Sequence, residues 1–165
     1  MATIPTELSS LIPIRGDQLP QFTGETPIGE TIRLRDFYMR CNLAVVFTDG
    51  PDYGATRDLL RGLAERRAAM QAEAGEALAV IFGNPTIVRE LVASLALPFP
   101  IVVDADGAIH RRYGLIDAAG EPRAAIFLAD RFGTVFEASL ASAEHPIMGA
   151  ADVPGWLEFI ACRCS

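Results

Sequence analysis

At 165 residues the chain has room for one domain with a sizeable core, and with half its residues hydrophobic and 21% charged it reads as an ordinary globular protein. A net charge of −7 argues against nucleic acid as a partner, because phosphate binding needs clustered cations, and here the arginines alternate with acids, as in "RDLLRGLAERR". No apolar run approaches the roughly 20 residues that span a bilayer, and the start lacks a basic segment followed by a long apolar one, so no membrane partner is expected and cytoplasmic is the default location.

In chain order, residues 1–20 carry Pro5, Pro13 and Pro20 and read as an irregular arm. "ETIRLRDF", 30–37, alternates Ile32 and Leu34 with charged neighbours, the period of a half-buried strand. "NLAVVFT", 42–48, is almost continuously apolar and reads as a strand covered on both faces. After the turn at 49–54, Leu59, Leu60, Leu63 and Met70 share one helical side, opposite Arg61, Glu65, Arg66 and Glu73. Gly75 is expected to close that helix.

"ALAVIFG", 77–83, is a second buried strand, and Asn84 with Pro85 forms an N-cap and first-turn pair for a helix whose apolar face is Ile87, Val88, Leu91, Val92 and Leu95. "FPIVVDADG" reads as a short strand ending in a turn, and "HRRYGL" as one or two helical turns. "RAAIFLA" and "TVFEASL" are strands joined by "DRFG", 130–133, as a hairpin, and a final helix starts near Pro154. Strands alternating with helices argue for a parallel α/β layer, to which the hairpin adds antiparallel strands. That order is the ground plan of a thioredoxin-like fold in a single domain, 1–165, with a central mixed sheet flanked by helices and an N-terminal extension.

The residues also resemble a known family. "LPQFTGETPIGETIRLRDFYMRCNLAVVF" is similar to the opening of alkyl hydroperoxide reductase/thiol-specific antioxidant domains, the peroxiredoxin-like (redoxin) branch of the thioredoxin superfamily, with Pro20, Phe22, Leu34, Asp36, Phe37 and Phe47 in matching places. "LALPFPIVVDADGAIHRRYGL" matches through Pro98, Phe99, Pro100, Asp104, Gly107, Tyr113 and Gly114, and "AAIFLADRFGTVFEA" resembles the family hairpin. The resemblance implies the thioredoxin-like fold and antioxidant oxidoreductase chemistry. It also implies a reactive cysteine at the first turn of the helix after the central strand, where the helix dipole and free N–H groups favour a thiolate.

That cysteine is missing. The equivalent positions fall on Asp52, Tyr53, Gly54 and Ala55, with neither Cys-x-x-Cys nor Thr-x-x-Cys. Peroxide reduction needs a thiolate to attack the O–O bond, which neither Asp nor Tyr replaces, so conventional peroxidase activity is not expected. The family's arginine beside the thiolate and the thioredoxin proline would both fall near Pro122 and Arg123, where a one-residue offset decides whether Arg123 points into the site.

Several chemistries stay open. Asp52 serves simply as an N-cap, or it joins Thr48, Tyr53, Arg123 and His145 around a small polar pocket at the C-terminal edge of the parallel strands. The expected partner is then a small polar ligand or a protein. His110, beside Arg111 and Arg112, reads as a solvated residue on a surface turn, and Tyr113 as core.

Cys41 should lie at the pole opposite that edge, and a final helix antiparallel to the strands should bring Cys162 and Cys164 there too. The three are inert, or form a relocated redox pair, or contribute to a metal site. Residues i and i+2 diverge by about 200° on a helix, and no nearby histidine offers a fourth ligand, so neither a metal nor a cofactor is expected. A homodimer through the arm and an exposed strand edge is a third functional reading.

Overall fold

The structure, a computed structural model, describes residues 11–50, 54–142 and 144–163. Asp52, Tyr53, Cys164 and the first half of the arm therefore lie outside the described residues.

Among the described residues, seven strands form one mixed sheet in the order β2-β1-β5-β4-β3-β6-β7. They are β1 (Thr23–Glu25), β2 (Thr31–Arg33), β3 (Asn42–Phe47), β4 (Gly75–Phe82), β5 (Ile101–Asp104), β6 (Ala125–Ala129) and β7 (Val135–Leu140). The helices are α1 (Gly54–Glu65), α2 (Arg67–Ala72), α3 (Pro85–Leu95), α4 (Ala108–Arg112) and α5 (Val153–Arg163). β3, β4 and β5 run parallel, β6 is antiparallel to β3, and β7 returns beside β6 as the hairpin expected from sequence.

Alternation along the central strands divides the core in two. Ala44, Val46, Ala79, Ile81, Ile126 and Leu128 face α1, α2, α3 and α5, through Leu60, Leu63, Met70, Val88, Leu91, Leu157 and Ile160. Leu43, Val45, Phe47, Leu78, Val80 and Phe127 face the arm and α4, through Leu19, Phe22, Leu34, Ile109, Tyr113 and Leu115. All six residues of β3 are buried, because both faces of this strand are covered.

The elements differ from the expected ones in three places. The segment 30–37 is a strand only as far as Arg33; Leu34–Phe37 is a turn of 3-10 helix in which the Asp36 carboxylate accepts the Arg33 backbone N–H at 3.3 Å. Leu34 is buried through that turn rather than through a continued strand alternation. β1 escaped the sequence reading: its three residues are too few for a period to show, and it is defined by pairing with β2 and β5. The helix after the elbow is broken at Arg66, and Gly75 opens β4 rather than closing the helix. Ala74, at φ 54°, makes the left-handed turn instead. Gly75 is needed for space, since a Cβ there would stand 2.6 Å from Cδ1 of Leu157.

Local signals hold where they are strongest. Asn84 Oδ1 accepts the Thr86 N–H at 2.8 Å, with Pro85 beginning α3. No helix among the described residues is long and apolar enough to cross a membrane.

Candidate functional site

The elbow sits at the C-terminal end of β3, the central strand. Thr48 continues the strand, its N–H donating to the Val80 carbonyl at 3.1 Å, and the chain then turns through Gly50 at φ 138°. A residue with a Cβ rarely adopts that conformation, so glycine permits the turn. Where α1 begins, the buried Thr56 hydroxyl donates to the Asp49 carboxylate, tying the helix's first turn to the end of the strand.

The residue that organises this pole is His110. Far from being solvated, it is fully buried. Its Nδ1 lies 2.7 Å from Oδ2 of Asp104 and its Nε2 lies 2.8 Å from the Thr48 carbonyl oxygen. Phe47 and Phe82 meet the ring edge-on, at centroid distances of 5.1 and 5.7 Å. Both ring nitrogens thus face acceptors. With two N–H groups the imidazole donates to both; with one, a ring lone pair would oppose an oxygen lone pair.

Asp104, at the end of β5, also accepts the backbone N–H groups of Ile109 (3.2 Å) and His110 (2.8 Å), and so holds the start of α4. Burial pushes its carboxyl pKa up, but the hydrogen bonds from the His110 ring and the two backbone N–H groups, with the His110 charge, more than offset this and hold it below the ordinary value.

The exposed neighbours Arg111 and Arg112 make His110 look solvated in the sequence. On a helix of five residues, adjacent positions turn by about 100°, so a buried residue sits directly beside two solvated ones. The usable signal was the acid at the end of a buried strand with the histidine six residues on, across a one-glycine turn.

Of the other sequence candidates, Thr48 is 1% exposed, and its hydroxyl is the one buried side-chain polar atom without a hydrogen-bond partner among the described residues. Gly54 begins α1, followed by Ala55. Arg123 is half-buried and turned toward the chain beyond β7, its Nη2 donating to the Ala141 carbonyl at 3.3 Å. The peptide before Pro122 is trans. His145 is exposed in the turn after β7, held by backbone hydrogen bonds with Ser142. Neither Arg123 nor His145 has a hydrogen bond to Thr48, Asp49 or Asp104. Asp52 and Tyr53 lie outside the described residues.

At the opposite pole, Cys41 precedes β3, half-buried, with its Sγ donating to the Phe37 carbonyl at 3.8 Å. Burial, and then the nearby Glu76 carboxylate, push its thiol pKa up despite the opposing charge of Arg40. Cys41 and Ala161 line one recess of about 230 Å³, and exposed Cys162 follows Ala161 near the end of α5. Among the described residues no group of three or more His, Cys, Asp or Glu side chains is placed to hold a metal.

This fold, with its elbow at the end of the central strand, can be compared with known proteins. The model of the AhpC/TSA family matches residues 15–138. The chain belongs to the AhpC/TSA family. Among solved structures it is similar to the peroxidoxin BcpB of Mycobacterium tuberculosis, with a TM-score of 0.79 and 15% identity over 89% of this chain and 97% of that one. It is likewise similar to AhpC of Enterococcus faecalis, with a TM-score of 0.78 and 16% identity over 93% and 98% of the two chains. A putative thiol:disulfide interchange protein DsbE of Chlorobium tepidum aligns with a TM-score of 0.71 and 20% identity over 93% and 99%. At these identities the structural likeness establishes the thioredoxin-like fold alone. No curated protein matches the sequence. In this chain no cysteine lies between Cys41 and Cys162, so the elbow carries none.

Proposed function

We propose that this AhpC/TSA-family chain is not a peroxidase and acts by binding a small polar ligand at the elbow. The observation that carries the reading is the buried, unpartnered Thr48 hydroxyl in a cysteine-free elbow. Buried polar groups are almost always hydrogen-bonded, and the exceptions call for a partner. The Thr48 carbonyl is engaged by His110, so the hydroxyl is what remains for a ligand.

The test has two arms. Peroxide consumption with a thiol reductant should not exceed background in the wild type, and turnover lost in Cys41→Ser would overturn the reading. NMR titration with small hydroxylated and carboxylate probes should shift the amides of Thr48, Asp49, Gly50 and Thr56, and Thr48→Val should remove those shifts. Shifts that persist in Thr48→Val would place the ligand elsewhere.

A second reading, a thiol–disulfide oxidoreductase using Cys41 with Cys162 or Cys164, draws support from the recess that Cys41 shares with the end of α5. Two thiols would yield two protons and two electrons to an incoming disulfide and form one S–S bond. Against it, the raised pKa of Cys41 leaves little thiolate at neutral pH. Counting free thiols under oxidising and reducing conditions decides it: a difference of two supports the pair, and an unchanged count of three removes it.

A further inference from the structure

The chain contains no lysine, so all 14 of its basic residues are arginines, in a protein of net charge −7. Three of them converge. Arg33, Arg35 and Arg112 line a recess of about 300 Å³, together with Gln21, Phe22 and Thr23, and no carboxylate is among the lining residues. None of the three makes an ion pair among the described residues, whereas Arg61, Arg66 and Arg67 each pair with a carboxylate.

The frame beneath them is stitched across long sequence distances. β1 and β2 place Thr23 opposite Arg33, so both side chains lie on one face of the sheet, while Gly24 faces Val102 and Ile109 in the core. The Leu34 N–H donates to the Phe22 carbonyl at 3.1 Å, which sets the turn carrying Arg35 beside β1. Arg112 enters from α4, and its Nη1 donates to the Gln21 carbonyl. Behind this frame the Tyr113 hydroxyl donates to the Pro20 carbonyl at 2.7 Å, and Phe22 packs edge-on to the Tyr113 ring. The nearest acid along the chain, Asp36, is engaged by the Arg33 backbone N–H.

Three like charges around one concavity repel one another unless an anion neutralises them, and planar guanidinium forks suit the oxygens of a tetrahedral oxyanion. The volume falls at the small end of ligand pockets. We propose that this recess binds a small phosphorylated ligand, its phosphate held by Arg33, Arg35 and Arg112. The site is separate from the elbow and stands or falls independently of the reading given above.

Isothermal titration of the full chain with inorganic phosphate and with pyrophosphate tests it. Saturable binding is expected, weakened about tenfold by Arg112→Gln or Arg33→Gln, as for loss of one charge-assisted hydrogen bond. It should be lost when all three arginines are changed to Gln. Arg61→Gln, which removes one positive charge outside the recess, should bind as the wild type does. All these positions are solvent-exposed, and circular dichroism should show each variant folded. Sulfate should compete, while chloride at equal ionic strength should not. Absence of saturable binding, equal weakening by Arg61→Gln, or displacement by chloride would each overturn the proposal.

Discussion

His110 is fixed by acceptors at both ring nitrogens, Asp104 on one side and the Thr48 carbonyl on the other. His110→Ala would strand the Asp104 carboxylate in the core with only two backbone N–H donors and free the Thr48 carbonyl. Breaking a buried pair costs about 3–5 kcal/mol, and the surviving backbone bonds put this case at the low end. Urea unfolding of the variant checks it. The same pair gives a pH dependence with a definite sign. Because the folded Asp104 pKa lies below its ordinary value of 3.8, its contribution is complete above that value and is lost as pH falls through the folded one. The stability difference between wild type and Asp104→Asn should therefore shrink on acidification below the ordinary carboxylate range. A difference constant down to strong acid would show that the carboxylate charge contributes nothing.

At the scale of elements, α3 and α4 make opposite points about what a sequence displays. Asn84 and Pro85 announce the start of α3, and Asn84→Ala should cost about 1 kcal/mol in thermal or denaturant melts, because the Thr86 N–H loses its partner. α4 carries no such announcement. Its first N–H, of Ala108, goes to Asp106, and those of Ile109 and His110 are satisfied by Asp104, a side chain from the preceding strand. Its five residues present His110 inward and Arg112 outward, and no helical period can be read over so short a span. Gly75 was legible as punctuation but not in its role. Helix closure asks for a left-handed residue, which Ala74 supplies, and the glycine serves the close packing of α5. Gly75→Ala should destabilise by about 1–3 kcal/mol through overpacking against Leu157. Trimming the leucine in the same chain should recover part of that loss.

At the scale of the whole molecule, α5 closes one face of the sheet by packing Val153, Leu157 and Ile160 onto the central strands, of which β3 lies more than a hundred residues earlier in the chain. Leu157→Ala should cost about 2–5 kcal/mol, the range for a buried leucine, with the spread set by how far the cavity collapses. Equilibrium unfolding measures it, and a loss well under 1 kcal/mol would mean that α5 is not part of the cooperative core. The order of the longer elements along the chain, the hairpin and the central strand covered on both faces were legible because each rests on a local pattern of residues. The acidic balance hid the arginine recess, because net charge averages over the surface while the recess depends on where three side chains end up.

The sequence by itself determined the thioredoxin-like order of elements, the family, and the absence of a thiol from the elbow. Each of these is written in residue identity or in near-neighbour spacing. Tertiary structure alone decided that His110 is a buried link between Asp104 and Thr48, 62 residues away, and that Arg112 meets Gln21 across 91 residues. Hydrogen bonds and charge clusters form between side chains that the fold brings together. Their energies depend on distance and burial, which no local pattern records.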